Sequence, residues 1–180
     1  MFRFIHAADP HLDSPLKGLE LHEGAPVDVL RGATRRAFEN LVQLAIVEQV
    51  HFVVIAGDLY DRAVPPTEAI ELFEGTVRRL VNAGVHVAAI TGNHDSDVRV
   101  TVYNALLDPS VHLQGGYENI GDVVTLDFPD GPLDLVLLPF LEPRMAARER
   151  GANHLLVALE EPRLLAAERV REAAEQLRVR

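Results

Sequence analysis

Short apolar runs alternate with longer amphipathic segments along the first 90 residues of the chain. Residues 2–8, 51–56 and 85–90 are apolar runs that are too short for typical helices, and each ends in a polar or glycine-containing cluster. Runs of this kind are typical of central strands that are buried on both faces. The pattern therefore predicts three strands of one sheet.

The two segments between these runs have helical spacing. From about Asp28 to Gln49, leucine and alanine recur on one face, and Thr67 can N-cap a second amphipathic helix that ends at Asn82-Ala83-Gly84. The order is strand, helix, strand, helix, strand. It predicts an α/β fold with a parallel sheet and right-handed crossovers.

The second half of the chain has a different pattern. Asp122 to Asp127 and Leu133 to Pro139 predict a hairpin joined around residues 129–132, where Asp-Gly is a turn signal. We expect this hairpin to belong to a different part of the fold from the three parallel strands. Residues 142–180 are rich in Ala, Leu, Glu and Arg and predict a mostly helical tail.

Composition narrows the classes of protein and site. The chain has 180 residues, 48% of them hydrophobic, so one domain over residues 1–180 is expected. The absence of cysteine excludes disulfides, thiolate zinc sites and a cysteine nucleophile. A net charge of -10 argues against a basic nucleic-acid surface, although bound metal ions would add local positive charge. No stretch is apolar enough for a membrane span, so a cytoplasmic protein without a membrane partner is expected.

Polar clusters follow each of the three predicted parallel strands. They are Asp9-Pro10-His11, Gly57-Asp58-Leu59-Tyr60-Asp61 and Gly92-Asn93-His94-Asp95. The carboxyl ends of parallel strands form one ligand-binding edge, so these clusters are expected to meet there.

The residue types in these clusters predict a metal site. Carboxylate, amide oxygen and imidazole suit Mn, Fe or Zn. If Asp9-Pro10-His11 is extended, alternation points the side chains of Asp9 and His11 toward the same metal. Asp58 could bridge two ions about 3.5 to 4 Å apart, and Asn93 could give a neutral oxygen to the second ion.

Two neighbouring residues suit proton transfer rather than metal binding. His94 would stand beside the metals as a general acid, and Asp95 could orient its ring. Asp61 could take part or could be only a turn residue. The other histidines are expected to be packed or solvated; they are His6, His22, His51, His86, His112 and His154.

The three clusters, in this order and each after a predicted strand, resemble the first three motifs of the calcineurin-like metallophosphoesterases. Longer stretches around them are similar to the SbcD-like DNA repair exonucleases, and to YhaO-like members in particular. Those stretches are residues 4–15, 57–62 with Pro65, and 92–96. The resemblance covers roughly residues 1–141. It implies the N-terminal portion of the αββα four-layer sandwich of this family.

The resemblance also implies roles for individual residues. Asp9, His11 and Asp58 would hold one divalent metal, Asp58 and Asn93 the second. His94 would protonate the leaving oxygen or steady the transition state. The implied activity is manganese-dependent cleavage of DNA, with Fe, Zn and Mg as other possible metals. Implied partners are DNA, an SMC-like ATPase and a second copy of the chain.

The sequence departs from the family pattern after the third motif. The family continues with one histidine after a later strand and then with Gly-His-x-His, and neither is present here. A truncated chain, a split-gene product and a degenerate paralogue all explain this departure, and catalysis is expected to be impaired. Two other functions stay open: hydrolysis of small phosphoesters by a phosphatase or phosphodiesterase, and a non-catalytic subunit or scaffold of a nuclease complex.

Overall fold

The computed structural model describes residues 2–15, 26–102, 104–116 and 122–142. The elements in chain order are β1 (Phe4–Ala8), α1 (Val27–Val47), β2 (Phe52–Ala56), α2 (Thr67–Asn82), β3 (His86–Ile90), α3 (Asp97–Thr101), a 3-10 turn (Asn104–Leu106), β4 (Val111–Gln114), β5 (Val123–Phe128) and β6 (Gly131–Val136). The predicted tail beyond residue 142 lies outside the described residues. No helix within those residues is both long and apolar enough to cross a membrane.

The first four strands form one parallel sheet in the order β1-β2-β3-β4. Phe4 lies beside Phe52, and Phe52 lies beside His86, so the first three strands begin and end at the same levels. This arrangement confirms the predicted α/β class and aligns the three polar clusters at one edge of the sheet.

The main core lies between one face of the sheet and the two long helices. Val53 and Val87 point from neighbouring strands into this core and are fully buried. They meet Val42 of α1 and Leu80 of α2. Alternate residues of each strand face the helices, as the period of two along a strand requires. The core therefore fixes the register that positions the strand ends.

The hairpin of β5 and β6 is a separate two-stranded antiparallel sheet, which confirms that it is not part of the parallel sheet. Its Phe128 stacks on Phe52, on the opposite side of β2 from Val53. The second strand runs from Gly131 to Val136 rather than over residues 133–139. The connection is shorter than expected because Phe128 already pairs with Gly131, which leaves only residues 129 and 130 as the turn.

One local prediction was wrong, and one strand was missed. Thr67 does not cap α2: it is the first helical residue, and Pro66 occupies the N-cap position without a side-chain hydrogen bond. The fixed φ of proline already favours the chain direction needed at a helix start. The fourth parallel strand, β4, was not predicted at all, since it has only four residues and, among the described strands, pairs with β3 alone.

Candidate metal centre

Backbone hydrogen bonds join the loops that follow β1, β2 and β3. The Asp9 N–H donates to the Ala56 carbonyl at 3.3 Å, and the His11 N–H donates to the Asp58 carbonyl at 3.0 Å. The Gly57 N–H donates to the Ile90 carbonyl at 3.1 Å. The loops therefore continue the pairing of the strands beyond the end of the sheet, and their side chains face a common region.

The backbone turns sharply at three of the predicted ligands. Asp9, His11 and Asp58 have φ values of 48°, 42° and 26°, in the left-handed region that L-residues rarely adopt. The expectation that Asp9-Pro10-His11 is extended was wrong, because the chain leaves the strand direction at both ends of this tripeptide. Such conformations cost about 1–3 kcal/mol each and concentrate at functional sites.

Glycine is required where these loops approach each other. A Cβ at Gly92 would overlap the Asp58 backbone nitrogen and Oδ1. A Cβ at Gly57, whose φ is 79°, would lie 3.0 Å from Asp9 Oδ1. The two glycines therefore allow the three loops to come within side-chain contact of one another.

A compact group of ligand atoms lies between the loops. One side-chain ligand atom from each of His11, Asp61 and His94 falls within 4.8 Å of the others. His11 Nδ1 is 3.2 Å from Asp61 Oδ1, and His11 Nε2 is 3.6 Å from Asp58 Oδ2. The rings of His11 and His94 are perpendicular, with centroids 5.2 Å apart. Asp61, which the motif left undecided, is thus a member of this cluster.

The cluster has the chemistry of a divalent metal site. Among the described residues, His11 Nδ1 is buried without a hydrogen-bond partner, even though a carboxylate oxygen lies close by. A buried polar atom of this kind is costly unless a ligand completes its contacts. Imidazole nitrogen and carboxylate oxygen are ligands for Mn, Fe and Zn alike, so these residues fit a divalent metal but do not select one.

The remaining predicted ligands stand at the same sheet edge. Asp9 and Asn93 are both exposed, Asp9 directly after β1 and Asn93 in the loop that follows β3. Asp58, by contrast, is buried, and its Oδ1 accepts the His94 N–H at 2.9 Å. The structure therefore gathers all three loops, with Asp58 at their centre.

His94 is exposed and its ring is held by the neighbouring loop. Its Nδ1 lies 3.0 Å from the Asp61 carbonyl oxygen, which can accept a hydrogen bond from an Nδ1–H. This hydrogen bond raises the pKa of His94 above its ordinary value, while slight burial lowers it and nearby aspartates raise it further. The protonated imidazole is therefore favoured over a wider pH range than in a free histidine.

Asp95 has a different set of partners from the one expected. Its Oδ2 accepts the N–H groups of Leu59 and Gly92, both at 3.0 Å, and its Oδ1 accepts the Tyr60 N–H at 2.9 Å. These bonds tie the loop after β3 to the loop after β2. In this structure the His94 ring is oriented by the Asp61 carbonyl, and Asp95 orients the backbone around it.

Sequence reasoning did not single out Asp13 and Arg62. Asp13 Oδ1 accepts the Asp61 N–H at 2.7 Å, and its Oδ2 is 2.8 Å from Arg62 Nε. Both residues lie inside the stretches that resemble the family, so this resemblance is the signal that could have identified them. Their pairing could not be inferred, because the two residues are far apart in sequence and the contact depends on the loop conformations.

The other described histidines lie elsewhere. His6 is in β1, His86 is in β3 and His112 is in β4, while His51 precedes β2 and its Nδ1 accepts the Arg3 N–H at 3.1 Å. His51 and His86 both contact the ring of Phe128, away from the strand carboxyl ends. His22 and His154 lie outside the described residues.

A parallel α/β sheet with clustered histidine and aspartate side chains at its carboxyl edge defines an α/β protein with a candidate metal centre. Residues 2–143 match the calcineurin-like phosphoesterase family. The chain belongs to that family. The members of this family bind divalent metals, which agrees with the metal site predicted from the motifs.

Individual relatives include proteins named as nucleases. YhaO, an uncharacterised metallophosphoesterase of Bacillus subtilis strain 168, is 38% identical over 93 residues, which cover 51% of this chain and 22% of YhaO. The SbcD subunit of nuclease SbcCD from Escherichia coli K12 is 30% identical over 170 residues, covering 87% of this chain and 39% of that protein. The DNA double-strand break repair protein Mre11 of Aeropyrum pernix is 31% identical over 156 residues, covering 83% and 36%. The chain thus spans well under half the length of these relatives.

Proposed function

We propose that this chain forms the metal-binding front half of a metal-dependent phosphodiesterase that cleaves DNA, with manganese as the working metal. The observation that carries the proposal is the clustering of His11, Asp58, Asp61 and His94 where three parallel strands end. The names of the SbcCD and Mre11 relatives support DNA as the substrate.

The ligands divide between two ions in this proposal. Asp9, His11 and Asp58 would hold the first, and Asp58 and Asn93 would hold the second. When bound, the ions polarise the phosphoester and lower the pKa of a water molecule. The buried position of Asp58, between the other loops, supports its use as the shared ligand.

Proton transfer is assigned to His94. The Asp61 carbonyl engages Nδ1, so the ring is oriented, and the raised pKa supports an imidazolium that can give a proton to the leaving oxygen. Asp95 contributes to catalysis by holding the backbone of Leu59, Tyr60 and Gly92 in place. Its part is positional, since its oxygens bond to backbone N–H groups.

Two alternatives have specific support. Hydrolysis of small phosphoesters uses the same metal chemistry, and the family match does not choose between substrates. A non-catalytic subunit is the other alternative, because the second metal has few ligands among the residues proposed here. A second metal held only by Asp58 and Asn93 would have few protein ligands.

The proposed partners are DNA, an SMC-like ATPase and a second copy of the chain, and the proposed location is the cytoplasm. Self-association is supported by an apolar groove of about 570 Å³ between α2 and the segment from α3 to β4. Val98, Val102 and Leu106 line or flank it and are 66%, 58% and 81% exposed. Exposed apolar patches of this kind commonly mark protein interfaces.

The decisive experiment measures Mn²⁺-dependent cleavage of labelled single-stranded DNA, duplex DNA and a chromogenic phosphomonoester by the 180-residue chain. We expect DNA cleavage that EDTA abolishes. His94→Ala and Asp58→Asn are each expected to reduce it by roughly 100-fold or more, the first because a general acid is lost and the second because a proposed metal ligand is lost. His6→Ala and Glu74→Gln are matched controls, because both side chains are exposed and lie away from the strand carboxyl ends.

The possible outcomes separate the three functions. Cleavage of the monoester alone would favour the small-substrate enzyme. Mn²⁺ binding without any cleavage would favour the non-catalytic subunit. DNA cleavage that persists in Asp58→Asn at the wild-type rate would contradict the proposed site.

A further inference from the structure

Asp13 is a buried carboxylate between two loops of the candidate metal centre. Its side chain is only 2% exposed, although it lies just two residues after His11. One carboxylate oxygen accepts the Asp61 N–H at 2.7 Å, and the other lies 2.8 Å from Arg62 Nε. A carboxylate is rarely buried to this degree unless both oxygens have partners. Oδ1 has this hydrogen bond, and Oδ2 has the arginine as its ion-pair partner, although Oδ2 makes no hydrogen bond among the described residues.

The contacts of Asp13 converge on a residue that faces both histidines of the cluster. The N–H of Asp61 is bound by Asp13, its Oδ1 lies 3.2 Å from His11 Nδ1, and its carbonyl oxygen bonds to His94 Nδ1. Asp61 therefore has three separate contacts in this small region. The hydrogen bond to Asp13 fixes the backbone of Asp61, and Asp61 contacts His11 and His94 from that backbone position.

Arg62 supplies the charge that makes the burial of Asp13 tolerable. The guanidinium is 50% exposed, forms an ion pair with Asp13 Oδ2 through Nε at 2.8 Å, and approaches the Asp13 carbonyl through an Nη at 3.5 Å. Without this cation, a carboxylate as buried as Asp13 would lack a counter-ion, which is strongly unfavourable. Arg62 is thus the counter-ion of the buried Asp13 carboxylate.

We propose that Asp13, paired with Arg62, is a positioning residue of the metal centre: it locks the loop after β1 to the loop after β2 so that Asp61 faces His11 and His94. The inference depends on one part of the proposed function, namely that the cluster binds a metal. The pair acts through Asp61. Residues that orient metal ligands in this way typically change metal affinity by about 10- to 100-fold when they are removed.

The test measures Mn²⁺ affinity by isothermal titration calorimetry on the 180-residue chain. We expect Asp13→Ala and Arg62→Ala to weaken binding by roughly 10- to 100-fold. Arg62→Lys retains a cation for Asp13 and is expected to recover most of the affinity. Asp13→Asn is expected to be intermediate, because its amide oxygen can still accept the Asp61 N–H.

The chain contains a matched control for this ion pair. Arg78 and Glu74 are joined at 2.8 Å on α2, away from the strand carboxyl ends, and both are largely exposed. Removing an arginine and a carboxylate there, with Arg78→Ala and Glu74→Ala, is expected to leave Mn²⁺ affinity unchanged. This control separates the general effect of losing an arginine or a carboxylate from the specific effect of losing the Asp13–Arg62 pair beside the metal centre.

A second readout needs no metal. The imidazole NMR resonances of His11 and His94 in the metal-free protein are expected to shift in Asp13→Ala and to keep their wild-type positions in Glu74→Ala. If the wild-type chain binds no Mn²⁺, the proposed function fails, and the histidine resonances still decide the role of Asp13. Wild-type Mn²⁺ affinity or wild-type histidine resonances in a folded Asp13→Ala protein would overturn the inference. Should Asp13→Ala not fold, the comparison of Arg62→Ala with Arg62→Lys decides in the same way.

Discussion

At the scale of single residues, the close approach of two loops explains why position 92 is a glycine. The Gly92 Cα faces the Asp58 backbone nitrogen and carboxylate, and no room remains for a methyl group. We expect Gly92→Ala to force the loops apart, to lower the free energy of unfolding by about 1–3 kcal/mol, and to weaken Mn²⁺ binding. Thermal unfolding and calorimetric titration measure the two effects.

Gly75 provides the control for this substitution. It lies inside α2, and a Cβ there would have no heavy atom within 4 Å. Because alanine is favoured over glycine in a helix, Gly75→Ala is expected to stabilise the protein by roughly 0.5–1 kcal/mol without altering Mn²⁺ binding. A Gly92→Ala protein as stable as Gly75→Ala, with unchanged affinity, would show that the loops have more room than the structure indicates.

The sequence predicts residue positions in this site better than residue contacts. Asp58 and His94 could be placed at strand ends because apolar runs stop directly before their clusters. The left-handed conformations of Asp9 and His11 could not be predicted, since they arise from loop pairing with residues about 47 positions later. The ligand roles themselves stay predictions that metal titration has to test.

At the scale of elements, the packing of α2 on the sheet holds the loops of the site in register. Leu80 is 1% exposed and packs in the same core as Val53 and Val87. We expect Leu80→Ala to lower the free energy of unfolding by about 2–5 kcal/mol, through lost burial and the cavity left behind. Urea denaturation followed by circular dichroism measures the change.

Leu44 is the comparison residue for Leu80. It lies on α1 and is 52% exposed, so Leu44→Ala is expected to cost less than about 1 kcal/mol. Equal losses in the two variants would mean that α2 does not pack on the sheet as described.

Element prediction succeeded where the pattern was long or strongly apolar and failed where neighbours decide the structure. The two long helices and the three central strands follow from local periodicity. β4 has only four residues, and it is a strand because it pairs in parallel with residues 87–90 of β3. Pairing of this kind depends on the folded sheet and leaves little trace in the local sequence.

At the scale of the whole molecule, the apolar groove beside α3 gives a test of self-association. Val102 and Leu106 are expected to pack against a second copy, so Leu106→Glu should lower the mass measured by light scattering from that of a dimer to that of a monomer. Val47→Glu, on an exposed residue of α1, is the matched control and should leave the mass unchanged. A monomeric wild-type chain would contradict the proposed homodimer.

The order of the strands has a consequence for how the molecule is made. β1, β2 and β3 are neighbours in the sheet and consecutive in the chain, and the backbone bonds that join their loops all lie within residues 2–95. Domains begin to fold as their N-terminal parts emerge from the ribosome. The ligand loops can therefore meet while the ribosome is still translating the remainder, and a metal ion captured at that stage would stabilise a nascent chain before its synthesis ends.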